Sequence, residues 1–329
     1  MDVAAITRPV YDTVHHFTGE ADSLANYILV LDAINFGSGY FPHLQKRATA
    51  SGQRMSGYFT VASYLKDYFE VHGPPTPQTL QTLTQADCAN IFQQDLEDDI
   101  RAELMGLFAR ALYDLGEVLL ENYGGSSVQF VEAANHSAEA LATQLTAMPF
   151  FQDAANYNSI PIPIYKRAQI AVSDLALAFD NQNLGYFEDI NQLTIFADNL
   201  VPHVLHVDGL LTYSEELEGM LEAGQLLPAG SDMEIELRAV SIHTVELMVE
   251  SLRAQGQQVS TRELDMLLWN QGQAAHYRQT TPPPHAHCLL LTLWCLWASY
   301  RNNHAIQQTT HSVDGISLSP HPPFLQNDV

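Results

Sequence analysis

Apolar residues recur at helical spacing along most of this chain, and the longest such run lies at residues 96–122. Its apolar members, spaced three to five residues apart, are Ile100, Leu104, Leu107, Leu112, Leu115 and Leu119. This spacing places them on one face of a helix, and that face must be buried against other elements. Glycines at 124 and 125 end the run, as is common at helix C-termini. The stretch therefore predicts a long amphipathic helix packed on a core.

Shorter segments show the same spacing and are bounded by glycine, proline or capping residues. They are residues 23–34, 58–71, 79–92, 128–148, 165–179, 213–223, 231–254 and 261–273. No strand-like alternation dominates, and no repeat of 20 to 50 residues is visible. We therefore predict a mainly α, multi-helical fold of about ten helices. A few short strands are compatible with the pattern, and residues 201–207 and 288–293 are the candidates.

The charge balance is strongly acidic, with 14 Lys and Arg against 38 Asp and Glu and a formal net charge of −24. Such a field repels polyanions, so we expect no duplex nucleic acid and no anionic membrane surface as a partner. The N-terminus lacks the pattern of a signal peptide, and the most apolar segment, residues 288–300, is shorter than the roughly 20 residues that cross a bilayer. Three cysteines without metal-ligand spacing fit a reducing compartment. We expect a soluble, cytoplasmic protein.

Several common functional motifs are absent from the sequence. There is no phosphate-binding loop, no dinucleotide fingerprint, no Gly-x-Ser-x-Gly elbow and no His-Glu-x-x-His. The 14 histidines form no convincing ligand set, because the pairs His203/His206 and His285/His287 are more simply surface or core residues. We expect neither a metal nor another cofactor.

Two ionic residues stand out against apolar neighbours. Lys166 is one of only three lysines in the chain and begins a predicted helix, directly after a Pro-Ile-Pro-Ile-Tyr segment. Asp198 ends an apolar run shortly before Pro202, where a carboxylate is either a helix cap or a functional group. We take this pair as the centre of a candidate site.

These residues lie within motifs that resemble the queuosine salvage protein family in order and approximate spacing, over roughly residues 10–285. The motifs that carry the resemblance are Asp32-x-x-Asn35-Phe36, Gly57-Tyr58, Tyr123-Gly124-Gly125-Ser126, Tyr165-Lys166-Arg167-Ala168-Gln169-Ile170, Leu193-Thr194-x-Phe196-Ala197-Asp198, Glu234-x-Glu236-x-Arg238 and Leu268-Trp269. The resemblance implies a queuosine 5′-phosphate N-glycosylase that releases queuine and ribose 5-phosphate. It also implies a compact helical fold similar to helix-hairpin-helix DNA glycosylases, which pair a lysine with a downstream aspartate.

The resemblance also assigns roles to individual residues. It implies that Asp198 is the catalytic aspartate, with Lys166 in support and Phe196 beside the base. Further expected substrate contacts are His16, Asn35, Phe36, Arg167, Arg238, Asp265, Met266 and Asn270. Met266 and Asn270 depart from the family's usual Tyr and Asp. His15 is an alternative to His16, because the local spacing differs from that of the family.

The implied chemistry suits these residue types. Breaking a ribosyl C–N bond builds positive charge on the sugar, which a fixed carboxylate stabilises. A 7-deazaguanine base lacks N7, so the leaving group must be stabilised through its other polar edges. Queuine also carries an amine and a diol, for which Asp265 is a candidate acceptor. The 5′-phosphate needs cations, and Lys166, Arg167 and Arg238 are the candidates.

The sequence leaves two other functions open. One is a non-catalytic binder of queuine or a related nucleoside, which the departures at Met266 and Asn270 keep open. The other is a DNA-repair glycosylase, which the net charge of −24 disfavours. We expect residues 1–300 to form a single helical catalytic unit, with lobes at 1–150 and 151–300 as one subdivision. Residues 301–329, rich in proline near their end, form a predicted loose tail.

Overall fold

The structure, a computed structural model, describes residues 9–274, residues 276–277 and the backbone of residues 316–318. Within these residues the α-helices, numbered in chain order, are α1 Ala21–Ala33, α2 Gly57–His72, α3 Pro77–Thr82, α4 Gln85–Ile91, α5 Asp99–Tyr123, α6 Ser127–Glu132, α7 Ala138–Leu145, α8 Lys166–Ala178, α9 Leu200–Val207, α10 Glu215–Glu222, α11 Asp232–Ala254 and α12 Thr261–Gln271. Short 3-10 helices lie at Ser38–His43, Pro149–Phe151, Asn183–Gly185 and Ile190–Gln192. The prediction of a mainly α fold is confirmed.

The strands are few and short, and they form two antiparallel pairs. Strand β1 (Ala154–Tyr157) pairs with β2 (Ile160–Pro163), with Ala154 opposite Pro163. Their two-residue turn places Asn158 and Ser159 at positive φ, as tight hairpin turns require. Strand β3 (Leu211–Tyr213) pairs with β4 (Ile316–Leu318).

The predicted long helix at 96–122 is confirmed as α5. Asp98 caps its N-terminus by accepting a hydrogen bond from the Arg101 amide, and Gly124 ends it in the left-handed conformation, with φ 58°. Its buried face includes the four leucines 104, 112, 115 and 119. Periodic apolar spacing was sufficient here because it continues without interruption through more than six turns.

Three sequence predictions differ from the structure in detail. Residues 79–92 form two helices, because Thr84 begins α4 with a capping box that includes Asp87. Residues 128–148 are likewise divided, because Asn135 and His136 adopt positive φ ahead of α7. Residues 201–207, a candidate strand, belong to helix α9. The candidate strand at 288–293 and the apolar segment at 288–300 lie outside the described residues.

Two clusters of buried apolar side chains form the core. The first joins α1, α2, α5, α6, α7 and α8, and includes Tyr27, Phe108 and Val172. The second joins β2, α9, α11 and α12, and includes Ile195 and Leu264. Because β2 belongs to the second cluster and α8 to the first, the chain passes from one to the other between Ile164 and Ala168. The division into lobes stays a prediction, and most of residues 301–329 lie outside the described part of the chain.

In the described part of the chain, no helix is both long and apolar enough to span a membrane.

Candidate active site

Lys166 and Asp198 meet at the boundary between the two core clusters. Lys166 is the first residue of α8, whose buried face belongs to the first cluster, and Asp198 follows Ala197 of the second. The Lys166 Nζ donates to Asp198 Oδ2 at 2.9 Å, and the side chains are 29% and 20% exposed. The amide of Leu200 donates to the other oxygen, Asp198 Oδ1, at 2.7 Å. Asp198 therefore holds the start of α9 and also presents a fixed, partly accessible carboxylate.

The backbone at the start of α8 is held in an uncommon conformation. Tyr165, directly before Lys166, adopts φ 51° and ψ 31°, a left-handed conformation that costs a non-glycine residue about 1 kcal/mol. Asp153 takes the place of a local cap, because its Oδ2 accepts from the Lys166 amide at 2.8 Å. Its backbone carbonyl also accepts from the Ile164 amide at 3.1 Å. These contacts direct the Lys166 side chain toward the second cluster.

Arg238, on α11, connects the chain segments that carry Lys166 and Asp198. One NH2 group of its guanidinium donates to Asp153 Oδ2 at 2.7 Å, and its Nε donates to the Ala197 carbonyl at 3.0 Å. The other NH2 group donates to Glu234 at 2.9 Å. Burial acts to lower the pKa of Arg238, but the two carboxylates outweigh it and raise the pKa above its usual value. We call this set, Asp153, Ala197, Glu234 and Arg238, the Arg238 brace.

The brace gives Arg238 a different environment from that of a surface residue. Arg238 forms an i to i+4 ion pair with Glu234. Arg238 is only 6% exposed, so this pair is buried. A buried ion pair stabilises only while both partners remain, since either one alone is a desolvated charge. All the hydrogen bonds described for its guanidinium go to protein groups. A contact between Arg238 and phosphate stays a prediction.

Asp265 and Phe196 adjoin the central pair. Asp265 Oδ1 accepts from the Phe196 amide at 2.9 Å, which ties α12 to the segment before Asp198. Burial is the main cause that raises the pKa of Asp265 to about 7. The charge of Asp198 acts in the same direction, while the Phe196 amide and the charge of Lys166 oppose it. Two carboxyl groups with different environments therefore lie beside one lysine.

Two other predicted residues of α12 lie closer to solvent. Met266 is half-buried and Asn270 is exposed. They follow Asp265 by one and five residues, spacings that place both on other faces of the helix than Asp265. Their contacts with substrate stay predictions.

Arg167, the second residue of α8, reaches the end of α1 and not Asp198. Its guanidinium donates to the carbonyls of Asp32 and Ala33, both at 2.8 Å, and to the carbonyl of Phe150. The carbonyls of Asp32 and Ala33 end α1, where a cation is favourable. The guanidinium also lies 4.7 Å from the ring centroid of Phe36. The structure thus places Arg167 as a C-terminal cap of α1, and its contact with phosphate stays a prediction.

Asn35 and Phe36 lie beside this cap. The Asn35 amide donates to Asp32 Oδ1 at 3.2 Å. Phe36 is buried and stacks on Phe150, with ring centroids 5.0 Å apart. Their substrate contacts also remain predictions.

The N-terminal histidines occupy different environments. His15 Nδ1 lies 2.6 Å from an Asp12 oxygen, and its ring packs against Phe59. His16 is 9% exposed, and its Nε2 lies 2.9 Å from the Tyr58 hydroxyl. Burial lowers the pKa of His16. Of the two, His16 faces inward among aromatic rings, which favours it as the ligand-contacting residue.

Sequence reasoning missed three acidic residues near the site. They are Asp153, which belongs to the Arg238 brace, and the carboxyl groups of Asp32 and Asp174. Asp32 was noted only within a motif. For Asp174 a signal existed, because Lys166, Ile170 and Asp174 are four residues apart and share one half-buried face of α8. No local signal identifies Asp153, since its partners are distant in sequence.

Among the described residues, no group of three or more His, Cys, Asp or Glu side chains is placed to hold a metal ion. His203 and His206, the candidate pair within that part of the chain, contact the carbonyls of Tyr277 and Leu211. His285 and His287 lie outside the described residues.

Comparison with known proteins gives the family. The queuosine salvage protein family matches residues 15–291. A Sphaerobacter thermophilus protein named queuosine 5′-phosphate N-glycosylase/hydrolase is 39% identical over 270 residues, covering 82% of each chain. Proteins of the same name from Dictyostelium discoideum and Bos taurus are 37% and 29% identical, over 55% and 77% of this chain and 56% and 76% of their own lengths. The chain belongs to the queuosine salvage protein family.

Proposed function

We propose that this protein hydrolyses the N-glycosidic bond of queuosine 5′-phosphate, releasing queuine and ribose 5-phosphate for the return of queuine to tRNA. The observation that carries the proposal is the 2.9 Å contact of Lys166 with Asp198, beside Phe196 and Asp265. Relatives with this activity in their names match most of the chain, which supports the same assignment.

Asp198 stabilises the positive charge that develops on the sugar as the bond breaks. Its two oxygens accept from Lys166 Nζ and the Leu200 amide, so the carboxylate is oriented before the substrate arrives. A preorganised charge avoids reorganisation in the transition state, and such a group is worth about 10²- to 10³-fold in rate. Asp198 lies at the face of the sugar from which C1′ is attacked. The attacking group is this carboxylate or a water molecule that it activates.

Asp265 and Phe196 bind the departing base. With a pKa of about 7, Asp265 is about half protonated at neutral pH and largely protonated below it, so its Oδ2 can donate a hydrogen bond to the base while Oδ1 accepts from the Phe196 amide. A donor to the departing base replaces the N7 protonation that a 7-deazaguanine cannot undergo. Two carboxyl groups in different environments are a common basis for separate acid and base roles.

Lys166 is the cation of this group that is best placed for the 5′-phosphate. Its side chain is 29% exposed, whereas Arg238 is enclosed by the brace and Arg167 caps α1. In the proposal, Lys166 orients Asp198 and attracts the phosphate, while Arg238 positions the backbone of both residues.

The first test measures queuine release from queuosine 5′-phosphate by wild type and Asp198→Asn. We expect a fall in kcat of about 10³-fold, because the variant loses the charge but keeps the shape. Asp67→Asn is the control, since Asp67 pairs with Arg47 on the surface of α2. Equal rates for wild type and Asp198→Asn would remove Asp198 from the chemistry. Tight queuine binding by wild type without ribose 5-phosphate formation would establish the non-catalytic binder instead.

We also propose that the scaffold is related to the helix-hairpin-helix DNA glycosylases and that the protein acts in the cytoplasm on a small nucleotide, not on duplex DNA. A helical lysine followed by an aspartate supports the first point, and the net charge of −24 supports the last. Superposition on solved glycosylases, localisation of the tagged protein and duplex-binding titrations at moderate salt test these points.

A further inference from the structure

Residues 193–197, which lead to Asp198, form neither a helix nor a strand. Their burial nevertheless alternates: every second residue from Leu193 to Ala197 is buried, while Thr194 and Phe196 are half-buried. Such alternation is typical of an extended chain. Within the described residues this segment pairs with no strand, and polar side chains hold its backbone instead.

These side chains come from three helices. The Thr194 amide donates to Gln169 Oε1, on α8, at 2.8 Å. The Phe196 amide is held from α12, and the next carbonyl is held from α11. The first of these contacts comes from the helix that begins with Lys166, and it therefore joins the two chain segments that carry the central pair.

The side-chain amide of Gln169 bridges the segments that precede both members of the pair. Its Nε2 donates to the Ile164 carbonyl at 2.8 Å, while its Oε1 accepts from the Thr194 amide. Ile164 is two residues before Lys166, and Thr194 is four residues before Asp198. One glutamine side chain therefore connects the two segments as a pair of backbone hydrogen bonds would connect two strands.

The bridge is buried and fixed at both ends. Gln169 is 8% exposed, and its Nε2 also donates to Thr194 Oγ1 at 3.0 Å. Loss of the side-chain amide would leave the Ile164 carbonyl and the Thr194 amide without these partners, which is costly for buried backbone groups. Because the central pair is attached to the chain within a few residues of the bridge, the bridge limits how far Lys166 and Asp198 can separate.

We propose that Gln169 is a positioning residue for hydrolysis, and that its amide bridge sets the spacing at which Lys166 Nζ and Asp198 Oδ2 form their 2.9 Å contact. The inference deepens the proposed function and rests on it. Gln169 acts through Asp198, whose carboxylate must face C1′. A misplacement of about 1 Å can cost about 10²-fold in rate, even when the altered residue is distant from the reacting atoms.

The test compares the kinetics of wild type and Gln169→Met, which keeps the length of the side chain and loses the amide. We expect kcat for queuosine 5′-phosphate to fall by about 10- to 100-fold, because Asp198 is no longer held in line with the sugar. KM should change by less than about threefold, since an interaction that matters in the transition state lowers kcat and kcat/KM together.

Gln94→Met is the matched control, because Gln94 is also a buried glutamine with a bridging amide. It is 7% exposed; its Oε1 accepts from the Gln45 amide at 2.8 Å, and its Nε2 donates to the Phe92 carbonyl at 2.7 Å. These contacts join the end of α4 to the segment after the first 3-10 helix. We expect both methionine variants to lower the urea midpoint by similar amounts, and Gln94→Met to keep the wild-type kcat. Equal kcat values for the two variants would overturn the proposal.

Crystal structures of wild type and Gln169→Met give a readout that requires no turnover. We expect the distance between Lys166 Nζ and Asp198 Oδ2 to increase by about 1 Å or more in the variant. An unchanged distance would overturn the positioning role, whatever the activity. A longer distance, with a wild type that forms no ribose 5-phosphate, would support the positioning role and overturn the proposed function.

Gln169→Asn serves for both measurements if Gln169→Met does not fold. Its amide group lies one methylene group, about 1.5 Å, closer to the helix, so it cannot reach Ile164 and Thr194 together. We expect a fall in kcat of about tenfold, the order of one lost hydrogen bond. A wild-type kcat in Gln169→Asn would overturn the proposal.

Discussion

Charged groups are compensated differently at the two ends of α8, the Lys166 end and the Asp174 end. At the Lys166 end, Lys166 pairs with Asp198, and the buried guanidinium of Arg238 pairs with Asp153 and Glu234. At the Asp174 end, burial and then the charge of Asp174 raise the pKa of Asp32, and Asp32 Oδ2 has no hydrogen-bond partner among the described residues. At the first end, each of these charged groups has a partner of opposite charge within the protein, as preorganised catalysis requires. At the second end the charges of Arg167 and Arg262 act on the two carboxyls, but burial outweighs them.

The first prediction concerns the Arg238 brace, whose buried ion pairs lie at the Lys166 end. Arg238→Met should lower the free energy of unfolding by about 3 kcal/mol or more, because it leaves buried Glu234 and the Asp153 carboxylate without their cation. Urea denaturation measures the loss. Arg47→Met is the control, since Arg47 and Asp67 form a partly exposed pair worth under about 1 kcal/mol. A loss below about 1 kcal/mol for Arg238→Met would show that the Lys166 end does not depend on the brace.

Lys166→Gln should separate catalysis from stability at the same end. We expect kcat/KM for queuosine 5′-phosphate to fall by about 10²-fold, because Asp198 loses its partner and the phosphate its cation. Stability should change by under about 1 kcal/mol, since both side chains of the pair are partly exposed. Lys166→Arg should recover part of the activity. A stability loss as large as that of Arg238→Met, with activity unchanged, would make Lys166 a structural residue.

Asp265 lies beside the Lys166 end, and its pH dependence gives the smallest expected effect. Its pKa is raised from 3.8 to about 7, so it stabilises the fold fully below about pH 4 and loses that contribution as pH rises through 7. The stability difference between wild type and Asp265→Asn should therefore shift by roughly 2 kcal/mol against wild type between pH 5 and pH 8. Urea titrations at both pH values measure the shift.

The control for this measurement is Asp98→Asn. The amide of Arg101 and then His43 lower the pKa of Asp98, so its contribution is lost only as pH falls below the usual Asp range. The free energy of unfolding of Asp98→Asn should change with pH between pH 5 and pH 8 as that of wild type does, and a different change would contradict the assignment. An equal change in Asp265→Asn and wild type would also contradict it.

The local features of this fold were readable from sequence because they depend on residues within about one helical turn of each other. The long helix α5 follows from uninterrupted apolar spacing, and the start of α11 follows from Ser231 and Glu234, with the Ser231 hydroxyl accepting from the Glu234 amide. The break between α6 and α7 was missed, because Asn135 and His136 adopt a left-handed conformation that apolar spacing does not reveal.

By itself, the sequence determined the helical class, the family and the pairing of Lys166 with Asp198. The Arg238 brace, the cap that Arg167 places on α1 and the approach of Asp174 to Asp32 were decided only by the tertiary structure. Asp153 and Arg238 are 85 residues apart in the chain. Such contacts form only when separate helices pack, because burial then removes the water that would otherwise screen each charge.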